Sequence, residues 1–442
     1  RHQKIVEESP SPALTPELRA AMGADAVRLA QAAGYRNAGT VEFMLDEQGR
    51  TSDPGSRGDL VSRPYFLEMN TRLQVEHPIT ELVAGIDLVQ LQIALAAGAR
   101  LPFQQADLAQ RGHGIEARVY AEDPATYLPA TGRVALFAPP EGPGIRNDVG
   151  IQGGDEVTVH YDPMLAKLIV HAPDRAAAIA RLRRALDDYT VLGVTTNLPL
   201  LRAIAAHPAF AAGATHTDFL ATSGLTGATF EPQTPPTEVL TAAAIFDDRT
   251  GTIYRAPATD DPWRAGPWRL LRDGMRMRYL FGKTEHLVLM RQAAAGWHIE
   301  IGATTHAIGI VAQQIDQLAL SFDGARIERF RITQDRSGLL IGWRGESFRL
   351  ARAAALNMDS LGGRASGAQG HTSLDAPMPG TVIKVLAEEG QAVAARQPLI
   401  ILEAMKMEHI VAAPYDGVVR KLLYSPGALV AKGATLVELD EI

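Results

Sequence analysis

The chain has 442 residues, 46% of them apolar, with a formal net charge of −7 and a pI near 6.0. This size predicts two to four domains with buried cores, and the acidic balance lacks the basic excess that nucleic acid or an anionic membrane demands of a partner. Because the sequence contains no cysteine, disulfide frameworks, thiolate nucleophiles and cysteine-based zinc sites are excluded.

The opening segment, RHQKIVEESPSP, begins without a methionine or a signal-like apolar core, and no run of about 18 apolar residues exists to span a bilayer. We therefore expect a fragment of a longer chain with no membrane partner. The first 225 residues mix helical patterns with short apolar strands, as in ELRAAMGADAVRLAQAAG followed by AGTVEFML. This texture indicates an α+β fold.

The segment YFLEMNTRLQVEHP alternates polar and apolar residues. Its polar members are Glu68, Asn70, Arg72, Gln74 and Glu76. A period of two places all five on one face of an extended segment. Straight extension would spread them over roughly 26 Å, so the segment must bend if they converge on one small substrate. Pro78 then opens a helix, and a second helical pattern runs from Asp87 to Ala97.

These residue types suit a site for a metal and an anion. Glu68 and Asn70 are hard oxygen ligands of the kind that Mg²⁺ binds, and Glu42 in GTVEFML can supply a second carboxylate from a neighbouring strand. Arg72 offers a planar fork for a carboxylate-like anion, and Glu76 can take a proton if burial raises its pKa. The alternative interpretation is an edge strand with a solvated polar face.

From Phe230 onward the composition changes. A Pro-rich connector with one helical pattern, FEPQTPPTEVLTAAAIF, precedes strand-like pieces such as HLVLM, WHIEI, RIERFRI and GLLIGW. Residues 237–355 are therefore predicted to be mostly β with one helix. Residues 356–373 are rich in Gly, Ala and Ser and predict a flexible tether with a reach of roughly 21–25 Å.

After the tether the chain repeats itself with a spacing of 37 residues. Matched pairs include Gly380 with Gly417, Gly390 with Gly427, and Leu402 with Leu439. Two equivalent β units of this kind predict a small sandwich with two-fold-like symmetry.

Lys406, in LEAMKMEHIVA, falls at the joint between the two units, so we expect it at a hairpin tip. A lysine in a turn is ordinarily a solvated surface group. Its flanking methionines, Met405 and Met407, would expose flexible apolar surface there, which makes sense if an enzyme must grip the tip.

EAMKMEH, residues 403–409, and APMPG, residues 376–380, resemble the attachment and starting sequences of biotin carboxyl carrier domains. The resemblance implies a biotinyl/lipoyl-type flattened β-sandwich in which Lys406 forms an amide to biotin, added by a biotin protein ligase. A lipoyl domain has the same fold and is the alternative, although it does not usually place methionine on both sides of its lysine.

Residues 1 to about 225 resemble the C-terminal half of biotin carboxylase, an ATP-grasp enzyme. Besides the alternating segment, the matching pieces are RHQK, GHGIEARVYAEDP and HYDPMLAKLIVHA. The glycine-rich lid and nucleotide-binding lysines that precede this region in the family are not in the sequence, so we expect negligible ATP-dependent carboxylation by this chain alone. Residues 45–64 are longer and more polar than the family's hairpin and should form an extended surface turn.

The resemblance implies binding roles for the matching residues. Those implied to bind the nucleotide are His2, Glu42 and Glu68. Those implied to hold Mg²⁺ or Mn²⁺ are Glu42, Glu68 and Asn70. Those implied to hold bicarbonate are Lys4, Arg72, Gln74 and the backbone of Val75.

The resemblance also implies a chemistry, with Arg72, Glu76 and Arg118 as its catalytic residues. Glu76 would deprotonate bicarbonate for attack on the γ-phosphate of ATP, and the resulting carboxyphosphate would yield CO₂ and the phosphate that deprotonates biotin N1. Arg118 would stabilise the biotin enolate electrostatically. On its own, Arg118 could instead be a surface partner of Glu116 or Glu122. Asp162 in HYDPM is a supporting candidate that can equally be a turn former.

The β-rich segment resembles the domain that docks the α subunit of acyl-CoA carboxylases onto a carboxyltransferase (β) subunit, a helix ringed by antiparallel strands. DDPWRAGPWRL, residues 260–270, is most similar to the 3-methylcrotonyl-CoA type, and propionyl-, acetyl- and geranyl-CoA carboxylases share the plan. We expect a multidomain α+β and β chain with a biotin carboxylase part at 1–225, a docking barrel at 226–355, the tether at 356–373 and the carrier at 374–442.

The implied function is ATP- and bicarbonate-dependent carboxylation of biotin on the chain's own carrier domain, with transfer to an acyl-CoA by the partner subunit. A large hetero-oligomer is expected, in the cytoplasm of a bacterium or the mitochondrial matrix of a eukaryote. The alternatives are a non-catalytic carrier and docking protein, or a lipoyl carrier joined to an unrelated ATP-grasp ligase.

Overall fold

A computed structural model describes residues 4–46, 63–230, 234–250, 274–294, 296–353, 372–404 and 407–441. Along the chain these residues form an α+β region, a closed barrel and a small β-sandwich. The predicted change from mixed to β structure after residue 230 is confirmed. The segments 45–64, 260–270 and 356–373, for which specific structures were predicted above, lie wholly or mostly outside the described residues.

The first part of the α+β region is open. Thr15 caps its first helix by accepting a hydrogen bond from the Leu18 amide, and Asp87 caps its third in the same way from Gln90. Neither helix buries a single residue. Its elements are β1 (Val6–Ser9), α1 (Pro16–Ala32), β2 (Thr40–Asp46), β3 (Arg63–Asn70), α2 (His77–Ala84) and α3 (Leu88–Ala96).

Among the strands that the structure describes, β2 and β3 pair only with each other. Successive residues of β3, Tyr65, Phe66 and Leu67, are each about half exposed. Since neighbouring strand residues point to opposite faces, both faces of this two-stranded sheet are open to solvent.

The second part of the region is compact. An antiparallel sheet in the order β1-β4-β9-β7 packs one face against α4 and α5. The elements are β4 (His113–Tyr120), β5 (Gly132–Arg133), β6 (Leu136–Ala138), β7 (Ile145–Val149), β8 (Glu156–Val157), β9 (Met164–Ala172), α4 (Arg175–Asp188), β10 (Thr190–Leu192), α5 (Leu198–Ala206), α6 (Pro208–Ala211) and α7 (Phe219–Thr222).

The alternation along β4 divides its side chains between two environments. Ile115, Ala117 and Val119 belong to the main apolar core, whereas Glu116 and Arg118 point to the opposite face. Helix α2 covers that second face, where Ile79 and Val83 pack against Ile169 of β9. Charged residues of β4 are thereby enclosed between the sheet and α2.

The barrel consists of eight antiparallel strands in sequential order. Helix α8 (Thr237–Thr250) contacts β12, β15, β16 and β17, and its residues from Val239 to Ile245 are fully buried, so the strands surround it. The strands are β11 (Met275–Phe281), β12 (Thr284–Ala293), β13 (Gly296–Ile301), β14 (Thr304–Gln313), β15 (Gln317–Phe322), β16 (Arg326–Asp335), β17 (Gly338–Trp343) and β18 (Glu346–Arg352). The expected helix ringed by strands is confirmed.

One buried carboxylate fixes α8 in the barrel. Asp247 is completely buried and accepts hydrogen bonds from the Tyr279 hydroxyl and the Arg352 Nε, both at 2.9 Å. A buried charge is tolerated only when it is paired and hydrogen-bonded, so this pair of contacts sets the position of the helix along the barrel axis.

The sandwich confirms the 37-residue repeat. Strands β20 (Gly380–Val385), β21 (Ala392–Val393) and β22 (Pro398–Ala404) recur 37 residues later as β24 (Gly417–Leu422), β25 (Leu429–Val430) and β26 (Thr435–Glu441). The remaining strands are β19 (Thr372–Asp375) and β23 (Met407–Ala412). The two sheets, β19-β26-β24-β21 and β23-β22-β20-β25, have equivalent orders under this shift.

Two repeated turns have the same backbone geometry. Gly390 and Gly427 have φ of +85° and +87°, in the left-handed region where glycine is favoured. Strand β19 begins at Thr372, so the sandwich starts two residues before the expected boundary at 374.

No single helix in the described ranges is long and apolar enough to cross a bilayer. Helices α2 and α3 meet that criterion only when taken together across a 97° bend.

Replacing Asp247 with alanine should destabilise the barrel, because the Arg352 and Tyr279 donors lose their acceptor. We expect the free energy of unfolding to fall by about 2–4 kcal/mol, less than a wholly enclosed pair would lose, since the Arg352 side chain is 30% exposed. All four tryptophans lie between residues 263 and 343, so urea unfolding followed by tryptophan fluorescence reports on this region.

The matched control is Glu300→Ala, which breaks the exposed ion pair with Arg291 in the same barrel and should cost under about 1 kcal/mol. Equal losses in the two variants would show that Asp247 does not hold the helix.

Candidate active site

The site is built around a carboxylate pair on β2 and β3. Glu42 and Glu68 are direct partners in the antiparallel register, which brings their side chains within about 5 Å at Cβ. The Asn70 Nδ2 donates to Oε1 of both, at 3.1 Å to Glu42 and 3.2 Å to Glu68. The three residues expected to hold a metal therefore lie together.

The chain bends immediately after Asn70, as the sequence analysis required. Strand β3 ends there and a turn leads to α2, which starts at His77 with Pro78 in its first turn. The Gln74 Nε2 thereby donates to Glu42 Oε1 at 3.2 Å, and Arg72 Nη1 donates to Gln74 Oε1 at 3.1 Å. The bend brings both residues back toward the carboxylates of β2 and β3.

Glu76 lies at the junction of three distant segments. Lys4 Nζ bridges Glu42 Oε1 at 2.9 Å and Glu76 Oε1 at 3.0 Å. Arg118 Nη2 donates to the other oxygen, Oε2 of Glu76, at 3.1 Å. A single connected ion network therefore joins Lys4, Glu76 and Arg118 beside the β2–β3 sheet.

Arg118 is itself firmly held. Its Nε donates to Glu7 Oε1 at 2.7 Å, and its carbonyl oxygen accepts from Asn197 Nδ2 at 3.0 Å. The side chain is nearly buried. Its partners in the structure are Glu7 and Glu76, so the surface-pair alternative with Glu116 or Glu122 is wrong.

The pKa of the Glu76 carboxyl is shifted in the direction opposite to the one that burial alone would produce. Burial acts to raise its pKa, but the hydrogen bond from its own backbone amide and the charges of Lys4 and Arg118 outweigh this, and the pKa lies below its ordinary value. Burial likewise acts to lower the pKa of Lys4, yet its bonds to Glu42 and Glu76 raise it. Glu76 is therefore an anion paired with cations, and the condition that burial raises its pKa is not met.

Sequence reasoning missed Lys167. Its Nζ donates to the Val75 carbonyl at 3.0 Å and pairs with Asp148 at 3.0 Å. Arg146 continues the chain of ion pairs, at 2.7 Å from Asp148 and 2.7 Å from Glu81 of α2. These contacts fix the Val75 backbone, and the available signal was one lysine in the otherwise apolar strand MLAKLIV.

Two carboxyls behind Arg118 were also missed as part of the site. Glu116 pairs in register with Glu7, it is fully buried, and neither of its oxygens has a hydrogen-bond partner. Burial, reinforced by the charge of Glu7, raises the pKa of Glu116 to about 8. Burial also raises the pKa of Glu7 to about 7, against the opposing effect of Arg118.

The donor set suits a hard cation shared with phosphates. Two facing carboxylates and an amide are oxygen ligands that Mg²⁺ binds when a nucleotide supplies further oxygens. As placed, Asn70 presents its NH₂ group to Glu42 and Glu68, so ligation through Oδ1 requires its amide to rotate. No cluster of three His, Cys, Asp or Glu side chains suited to a metal occurs in the described part of the chain.

Three further candidate residues remain to be accounted for. His2 and Lys406 lie outside the described residues. Asp162 is exposed and accepts from the Met164 amide at 3.0 Å, which is the turn-forming role. Strands β22 and β23 pair Ala404 with Met407, so the described hairpin strands end on either side of residues 405 and 406.

Replacing Glu116 with glutamine should reduce the loss of stability at alkaline pH. A carboxyl whose pKa is raised on folding stabilises the protein while protonated, and that stability is lost as pH rises through the folded-state pKa. With a folded pKa of about 8, Glu116 should account for on the order of 1 kcal/mol of the decrease in stability between pH 7 and pH 9. Urea unfolding followed by far-UV circular dichroism at both pH values measures it.

Glu141→Gln, which removes an exposed carboxylate of the same region, should leave the pH dependence as in the parent chain. If Glu116→Gln does likewise, Glu116 is not a proton-bearing group in this range.

Three family profiles match the chain. Residues 1–104 match the carbamoyl-phosphate synthase L chain ATP binding domain, residues 116–222 the biotin carboxylase C-terminal domain, and residues 372–439 the biotin-requiring enzyme family. The third match begins at the first residue of β19.

Curated relatives match the chain throughout. The mouse (Mus musculus) mitochondrial methylcrotonoyl-CoA carboxylase subunit alpha is 36% identical over 467 residues, covering 100% of this chain and 61% of the relative. The propionyl-CoA carboxylase alpha chain of Ruegeria pomeroyi is 37% identical over 482 residues, covering 100% and 66%. The chain thus spans roughly three fifths of the length of these relatives.

A solved structure of the Hydrogenobacter thermophilus 2-oxoglutarate carboxylase biotin carboxylase domain is 41% identical, with a TM-score of 0.48 over 52% of this chain and 48% of that one. By the relatives that match it from end to end and the order of its matched domains, the chain belongs to the family of alpha subunits of biotin-dependent acyl-CoA carboxylases.

Proposed function

We propose that the protein carboxylates biotin held on its own carrier domain, using ATP and bicarbonate, for transfer to an acyl-CoA by a carboxyltransferase subunit. The observation that carries this proposal is the network of Lys4, Glu76 and Arg118, which three segments far apart in sequence bring together. The carrier sandwich in the same chain would hold the biotin on which this network acts.

The cationic side of the network is suited to bicarbonate. Lys4, Arg72 and Gln74 offer donors beside the Val75 backbone, and Lys4 stays positively charged despite partial burial because Glu42 and Glu76 raise its pKa. Arg72 can bind a planar anion through two parallel hydrogen bonds. We assign bicarbonate binding to these four residues.

Glu76 is assigned as the base that takes the bicarbonate proton. It is ionised, so it can accept a proton, and its bonds to Lys4 and Arg118 hold the carboxylate in place. Its lowered pKa makes it a weak base, so the pocket must stabilise the doubly charged anion that bicarbonate becomes when it loses its proton. Lys4, Arg72 and Arg118 supply that electrostatic stabilisation.

Glu42, Glu68 and Asn70 are assigned to Mg²⁺ or Mn²⁺, and Glu42, Glu68 and His2 to the nucleotide. A divalent cation held by these residues would supply positive charge to neutralise the phosphates of the nucleotide. Glu42 now accepts from Lys4, Asn70 and Gln74, so binding a cation would exchange some of these donors for the metal.

Biotin is assigned to Lys406, and it supplies the ureido nitrogen that carries the carboxyl group. Arg118 is assigned to stabilise the negative charge that develops there. Glu7 orients the guanidinium from behind, through a contact between Nε and Oε1 of 2.7 Å. Asp162 is kept as a supporting residue because its charge influences Tyr120, the neighbour of Arg118 on the same face of β4.

The acyl-CoA acceptor is proposed to be 3-methylcrotonyl-CoA, after the names of the relatives. Propionyl-CoA is the alternative for which a relative with similar identity is known; acetyl-CoA and geranyl-CoA remain formal options. The helix-centred barrel is proposed to dock a β carboxyltransferase subunit within a large hetero-oligomer, and a biotin protein ligase is the modifying partner. The compartment is proposed to be the cytoplasm in a bacterium or the mitochondrial matrix in a eukaryote.

The second candidate function is a non-catalytic carrier and docking protein. It is favoured by the open first part of the α+β region, where α1 and α3 bury none of their residues. ATP turnover by the chain fused to the part of a relative that it does not span separates the two functions.

Coexpression with a biotin protein ligase should add one biotin to the chain, and Lys406→Arg should abolish it. Avidin binding and intact mass measure the modification. Lys384→Arg, which changes an exposed lysine of the same sandwich, should be modified as the parent chain is. A mass increment of lipoate, or biotin retained in Lys406→Arg, would contradict the assignment.

In the fused enzyme, Glu76→Gln should lower bicarbonate-dependent ADP formation by about 10²–10⁴-fold, the usual effect of losing a general base. The amide preserves shape but cannot take the proton. Glu141→Gln, an exposed carboxylate in the same region, should retain the parent rate. A Glu76→Gln enzyme within a few-fold of that rate would exclude Glu76 as the base.

A further inference from the structure

The carrier sandwich lies against the biotin carboxylase region of the same chain. Leu128, which precedes the paired residue Pro129 in the loop after β4, packs partly buried against the sandwich core. A second loop, Val159–Asp162, faces Thr381, Glu403 and Ala404 across a cavity of about 390 Å³. Two separate loops of the first region therefore meet one end of the carrier.

That end of the carrier is the one next to residues 405 and 406. Glu403 and Ala404 are the last residues of β22, and Thr381 pairs with Glu403 in the neighbouring strand β20. The cavity therefore opens beside the strand ends that flank the proposed modification position.

The cavity also adjoins the catalytic face of β4. Asp162 lines it and accepts a hydrogen bond from the Met164 amide, and Met164 pairs in register with Tyr120 of β4. Tyr120 lies two residues beyond Arg118 and therefore on the same face of β4. A short series of neighbouring residues thus connects the carrier end to the guanidinium assigned to the reaction.

We propose that Leu128 and the Val159–Asp162 loop form a docking surface for the chain's own carrier domain, so that biotin is presented to Arg118 of the same polypeptide. This inference rests on the proposed function and adds to it the identity of the recognition surface and the intrachain direction of delivery. Tyr161, 79% exposed and lining the cavity, supplies an aromatic face toward the carrier end.

The contact between the carrier sandwich and the first region is small, which suits a domain that must dissociate from its docking surface. No element pair between the two regions makes an extended contact among the described strands and helices, and weak transient interfaces have this character. A low intrinsic affinity is sufficient here, because two domains of one polypeptide meet at a raised effective concentration.

The sequence has no cysteine, so two introduced thiols report on one pair of positions. In the full chain, Tyr161→Cys with Thr381→Cys should be bridged by a short bis-maleimide within one polypeptide, at a rate independent of protein concentration. The control pair is Tyr161→Cys with Val418→Cys, because Val418 is the 37-residue counterpart of Thr381 and is similarly half-buried.

Docking should make the first pair react about tenfold faster than the control, because both pairs lie within one polypeptide and only Thr381 is next to Tyr161 in the docked arrangement. Adding Leu128→Glu should reduce the ratio to about one, whereas Leu128→Met should preserve it. Circular dichroism confirms that both variants are folded; if Leu128→Glu is not, Leu128→Ala replaces it and should lower the ratio.

Equal rates for the two pairs, bridging only between chains, or a ratio that survives loss of Leu128 would each overturn the proposal. Avidin binding is scored on the same samples. Biotinylated protein with equal rates refutes the docking surface alone, whereas preferential bridging in a chain that never acquires biotin refutes the proposed function and leaves the surface intact.

Discussion

Glu76 is bound at both carboxylate oxygens, by Lys4 on one side and Arg118 on the other, and the arrangement of the whole site depends on this pair of contacts. It joins the residues just before β1, the N-cap of α2 and strand β4. Each charge has an opposite neighbour, so the group can be half-buried without leaving an uncompensated ion. The cations are thereby already oriented before an anionic substrate arrives, which is the condition for electrostatic catalysis.

The sequence predicted the carrier sandwich almost completely, and the reason is its internal repeat. A spacing of 37 residues related Gly380 to Gly417 and Leu402 to Leu439, and the strands of one unit reappear at that spacing in the other. Each unit therefore supplied independent support for the other. The alternating polar segment was similarly informative, because its five side chains required a bend and the chain turns directly after Asn70.

The parts of the site that sequence reasoning missed depend on contacts between distant residues. Glu7 meets Arg118 across 111 positions and Lys167 meets Val75 across 92, and neither pairing has a local pattern. The direction in which the Glu76 pKa is shifted could not be decided from the sequence, for a related reason. Burial acts to raise this pKa, whereas the charges of Lys4 and Arg118 act to lower it. Which effect is larger depends on distances in the folded protein that the sequence does not contain.

The open sheet that carries Glu42 and Glu68 has a consequence for the order in which the molecule comes apart. Within the described part of the chain, β2 and β3 pair with no other strand, both faces of their sheet are exposed to solvent, and the flanking helices α1 and α3 bury no residue. A two-stranded ribbon is only marginally stable by itself. Its backbone amide hydrogens should therefore exchange with solvent through local opening, whereas those of β4 and β9 should exchange only on global unfolding. The affinity of the site for a metal would then include the free-energy cost of ordering this ribbon.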